Sequence, residues 1–129
     1  MIHEEICTHE VCKLAKEKGF PQHIGNDAYV VENEYDVEYE VGSCYPIQFI
    51  PDYLPTITAP TQSLLQRWLR EEKKVHIEIY PVFPPPNIVK YGRWVVFDAI
   101  VKTIPIDYFD TYEQALENGL AYALKNLVI

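Results

Sequence analysis

The sequence predicts an α+β fold, a small antiparallel sheet of about four strands covered by three helices, in the order α-ββ-α-ββ-α and as one domain over residues 1–129. Three observations predict it. Three segments repeat apolar residues at helical intervals behind a threonine placed to cap them. Other segments alternate apolar and polar side chains at period two, as half-buried strands do. No apolar run approaches the ~20 residues that span a bilayer.

The first helix reads from "CTHEVCKLAKEKGF": Thr8 caps it, Glu10 favours the positive end of its dipole, and Gly19 suits the left-handed residue that ends it, with Phe20 folding back. Val11, Leu14 and Ala15 form the inward stripe. His3, Cys7, His9 and Cys12 give a metal-like spacing, H-x3-C-x-H-x2-C. With Thr8 as cap, however, Cys7 and Cys12 take the two positions of a hydrophobic staple, so no metal or cofactor is expected there.

Residues 28–44 alternate over a long stretch, with Tyr35, Val37, Tyr39 and Val41 inward. "AYVV" before them reads as the first arm of a hairpin turning around Glu32–Glu34. The prolines of "YPIQFIPDYLPTITAP" forbid a helix and a central strand, leaving an extended connection pinned by Tyr45, Phe49, Tyr53 and Leu54.

Thr61 caps the second helix, whose apolar face is Leu64, Leu65, Trp68 and Leu69. "VHIEIYPV" follows as a strand, then a proline-stiffened loop "PPPNIVKYG" and a partner strand "RWVVFDAIV". The near-continuous apolar run of that partner predicts a central strand covered on both faces. The last helix opens at "DTYEQ", where Thr111 with Gln114, or Asp110 with Glu113, meets the capping-box spacing, and Leu116, Leu120, Ala123 and Leu127 face inward.

The chain is 48% apolar and carries a net charge of −8, so the acidity belongs to a folded surface. Residues 19–66 hold seven acids and neither Lys nor Arg, and account for −7 of that charge. This sign disfavours nucleic acid and anionic membranes as direct partners. Three cysteines without framework spacing fit reduced thiols, and "MIHEEICTHEVCKL" lacks a basic start before an apolar core, so a cytoplasmic protein is expected.

The sharpest pattern is "ENEYDVEYEVG", which sets Glu32, Glu34, Asp36, Glu38 and Glu40 at alternate positions. On a strand they share one face, repeating at about 7 Å. Such a ladder is either a solvated face that blocks edge pairing or a contact surface for a basic groove on a protein partner. Phosphate-binding loops and the common hydrolase and metalloprotease motifs are absent from the sequence. The function expected is therefore a non-enzymatic interaction module acting through the acidic strand, as monomer or homodimer. The alternative is a small enzyme or small-molecule binder whose pocket uses Tyr45, Phe49 and Tyr53, with Cys44 and a histidine.

At "APTQSLLQRWLREEKKVHIEI", joined to a Trp-bearing strand and then "FDTYEQALENGLAYALKNL", the sequence resembles a group of small uncharacterised α+β proteins of gut anaerobic bacteria and their phages or integrated elements. The first-helix ending "LAKEKGF" is similar too. The resemblance covers residues 59–127 with gaps and departs most at "YPVFPPPNIVKYGRW", a longer hairpin loop. It implies a cytoplasmic, phage-related origin and brings no functional residues with it.

Overall fold

The computed structural model describes residues 5–22, 28–31, 44–46, 56–101 and 108–128, with the backbone alone for Ala28–Val31 and Cys44–Pro46. Helix α1 (His9–Glu17) begins where the Thr8 hydroxyl accepts the Val11 N–H at 3.3 Å. It ends in a Schellman motif: Gly19 takes φ +96°, its N–H donates to Lys16, and the Phe20 N–H donates to Ala15 at 2.9 Å. Phe20 then lies buried, edge-on to Trp68.

Strands β1 (Ala28–Val31), β2 (Cys44–Pro46) and β3 (Thr56–Thr58) form one antiparallel sheet in the order β2-β1-β3. The described partners of "AYVV" are thus Cys44–Pro46 and Thr56–Thr58. The hairpin expected around Glu32–Glu34 lies outside the described residues. Pro46 closes β2, and β3 sits between Pro55 and Pro60; both strands flank β1, the edge positions that proline tolerates.

Helix α2 (Gln62–Glu72) is capped by Thr61, whose hydroxyl accepts from Leu64. It leads into β4 (Val75–Val82), β5 (Lys90–Phe97) and β6 (Ile100–Val101), a second antiparallel sheet in the order β4-β5-β6. Helix α3 (Tyr112–Asn126) opens on the Thr111–Gln114 capping box rather than the Asp110–Glu113 one: the Thr111 hydroxyl accepts the Gln114 N–H and the Gln114 amide oxygen accepts the Thr111 N–H. Class, helix count and antiparallel pairing follow the expectation, with a third short strand in each strand group among the described residues.

Two strand boundaries differ from those read in the sequence. Lys90, Tyr91 and Gly92 belong to β5 rather than to the loop before it. Gly92 faces Tyr80 across the ladder, and a Cβ there would fall 2.4 Å from the Tyr80 ring, so the ring lies over the glycine and fills its missing side chain. The run "RWVVFDAIV" also breaks in two. Asp98 and Ala99 take φ +55° and +60°, the signature of a type I′ turn, and Ile100–Val101 returns as β6. Alanine pays about 1–2 kcal/mol for left-handed backbone. Ala99→Gly is therefore expected to raise stability by about 1 kcal/mol, read as a higher urea midpoint; an unchanged or lower midpoint rejects the strained turn.

One buried cluster joins α1, β3, α2, β4, β5 and α3 through residues such as Val11, Ile57, Leu65, Leu69, Val75, Val95, Leu120 and Leu124. Helix α3 crosses the inner face of β4 and β5 at Gly119, whose missing side chain lets Ile77 and Arg93 approach. Arg93 is itself buried. Its Nε donates to Asn118, and its guanidinium lies over the Tyr122 ring at 4.9 Å, while Nη1 has no hydrogen-bond partner.

Candidate functional site

The five acids Glu32, Glu34, Asp36, Glu38 and Glu40 lie outside the described residues, as do Phe49 and Tyr53. Tyr45 and Cys44 are placed by backbone only, in β2 opposite Tyr29 and Val30. Cys7 and Cys12 are buried thiols outside any disulfide, at the two staple positions, the Cys12 Sγ donating to the Cys7 carbonyl at 3.5 Å. Burial, then the Glu117 carboxylate, pushes the Cys7 thiol well above its ordinary range, which leaves it a poor nucleophile. Among the described residues no three His, Cys, Asp or Glu side chains gather to hold a metal ion.

What the described structure does present is an open aromatic face. Along β4, Val75, Ile77 and Ile79 turn toward the core, so His76, Glu78 and Tyr80 turn the other way. The register sets Val96, Trp94 and Gly92 of β5 opposite them in that order. Trp94 is 51% exposed and Tyr108 52%, and Val101 of β6, paired with Val96, is exposed beside them. The rings are not independent: Tyr80 meets Trp94 edge-on at 5.5 Å and Tyr108 at 6.5 Å. With Tyr80 seated on Gly92, the three rings pack into one contiguous aromatic platform. The expectation that β5 is covered on both faces is corrected here: β5 is central, but α3 covers only its inner side.

A second feature is a pocket of about 390 Å³ where all three helices begin, lined by Glu5, Thr8, Gln62, Thr111, Glu113 and Glu117 among others. The N-terminal ends of the three helices and the carboxylates of Glu5, Glu113 and Glu117 thus share one cavity. Glu117 Oε1 accepts the Thr8 N–H at 2.7 Å, while Oε2 is buried without a partner. Burial raises the Glu117 pKa; bonds from Thr8 and Gln62 oppose the rise without cancelling it, and Glu5 adds to it. Such a carboxyl holds its proton better in the folded chain. Its favourable contribution is complete below the unfolded value near 4.5 and is lost as pH rises through the higher folded value. Glu117→Gln is expected to flatten that part of the stability–pH profile, as read from urea midpoints at successive pH values. An unaltered slope would show that this carboxyl does not titrate differently on folding.

No family model matches the chain, and neither a curated protein nor a solved structure matches it. The platform was missed in the sequence because Trp94, Val95, Val96 and Phe97 form an unbroken apolar run. The signal that reveals it sits on the partner strand. His76 and Glu78 alternate with Val75 and Ile77, and a sheet face bearing them is a face turned to water.

Proposed function

We propose that this chain is a non-enzymatic protein-interaction module of phage or mobile-element type that docks a basic protein partner. The observation that carries the reading is the half-exposed Trp94, fixed by Tyr80 on the open face of β4-β5-β6. Tryptophan and tyrosine supply large contact area at low entropic cost and dominate binding surfaces. A net charge of −8 supports a partner of opposite sign and disfavours nucleic acid. The acidic ladder Glu32–Glu40 is the second contact surface in this proposal, suited to a basic groove.

The test compares capture from a host lysate by the native chain, by Trp94→Ala with Tyr108→Ala, and by Glu34→Gln with Glu38→Gln. A basic protein retained at low salt, released by moderate salt and lost from the first variant is the expected result. Loss from the second variant adds the ladder to the contact. Equal retention by all three chains overturns both surfaces.

A further inference from the structure

We propose that the aromatic face recognises a single cationic side chain, arginine or lysine, presented by the partner, with the charge seated over Trp94 and paired to Glu78; this rests on the interaction-module reading above. Glu78 stands directly opposite Trp94 in the β4–β5 register, on the same outward face. Opposed residues of an antiparallel pair hold their Cβ atoms about 5 Å apart, so a cation over the indole lies within reach of the carboxylate. Indole is the strongest of the natural rings for binding a cation by its face.

The molecule already uses this chemistry on its other tryptophan. Lys73 Nζ lies 5.3 Å from the centroid of Trp68, so that ring takes its cation from the chain itself. No Lys or Arg of the described residues sits over Trp94 or forms an ion pair with Glu78. The neighbouring cation on this face, Lys90, is held by Asp110. Both halves of a cation site are thus exposed and without a cation among the described residues, while the Tyr80 ring packs edge-on against the indole that forms one of them. A second copy of the chain is a poor occupant, since two bodies of charge −8 repel.

The experiment uses the full chain labelled with 5-fluorotryptophan, in which Trp94→Phe assigns the two fluorine resonances without disturbing the core. The probes are extended peptides alternating leucine with arginine, and the same peptides with glutamine in place of arginine. The arginine peptide is expected to shift the Trp94 resonance saturably below about 1 mM, with the glutamine peptide about tenfold weaker. Glu78→Gln, a change at an exposed position, is expected to weaken the arginine peptide severalfold and leave the glutamine peptide unchanged. Equal binding of both peptides at Trp94 overturns the cation inference while the docking face survives. No shift with either peptide overturns the inference and removes this face from the module reading as well. Arginine-peptide binding that leaves Trp94 unshifted but disappears on Glu34→Gln with Glu38→Gln places the contact on the ladder and overturns the inference alone. A dimer that already shields Trp94 overturns it in favour of self-association.

Discussion

Gly119→Val is expected to destabilise the fold by about 3 kcal/mol, at the upper end of what overpacking costs. Helix propensity alone points the other way, since replacing an interior glycine usually gains up to about 1 kcal/mol. Here the geometry decides. A Cβ on Gly119 would lie 2.8 Å from Ile77 Cγ2 and 3.1 Å from Arg93 Cδ, inside the 3.5–4.0 Å at which carbon atoms rest. Ile77 is 3% exposed and branched next to its backbone, so its methyl has nowhere to retreat. Valine adds two further methyl groups to that contact. Gly119→Ala, with only the Cβ, is expected to be destabilising by about 1 kcal/mol after its propensity gain is counted. Chemical denaturation of the two variants checks both values, and a more stable alanine variant would refute the close approach of α3 to the sheet.

Leu120→Ala, one residue on, should lower stability by about 3 kcal/mol for the opposite reason, a void in place of a clash. Leu120 is fully buried in the cluster that joins all three helices to both sheets. Truncation forfeits its transfer free energy and its dispersion contacts together, and the packing of α1, α2, β4 and β5 against α3 limits how far the hole can close. Against a typical total of about 5–15 kcal/mol, that is a large fraction. The urea midpoint should fall by about 1–3 M at constant slope. A fall of less than about 1 kcal/mol would mean the site collapses around the smaller side chain.

These neighbours also mark what a sequence discloses. Leu120 is legible because it recurs at a helical interval with Leu116 and Ala123, and such periodicity is local. So are the caps at Thr8, Thr61 and Thr111 and the glycine ending at Gly19, each decided within a single turn. Gly119 and Gly92 are illegible because what occupies their missing side chains, Ile77 in one case and Tyr80 in the other, comes from a different element. The Asp98–Ala99 turn is illegible because alanine carries no mark of a positive φ. The apolar run around Trp94 reads as a strand covered on both faces, whereas the exposure of Trp94 follows from the register with Glu78. The acidic ladder was plain as a charge pattern, and its geometry lies outside the described residues.

The union of α1 with α3 has a consequence for the making of the protein. The Thr8–Glu117 bond bridges 109 positions, and Glu10 reaches further still, to Lys125. At about 5–20 residues per second on the ribosome, the opening helix exists for roughly 5–20 s before its closing counterpart is synthesised. Over that interval Val11, Cys12 and Ala15 lack part of their eventual cover, and the nascent chain must rely on chaperones or on its own partial collapse to shield them.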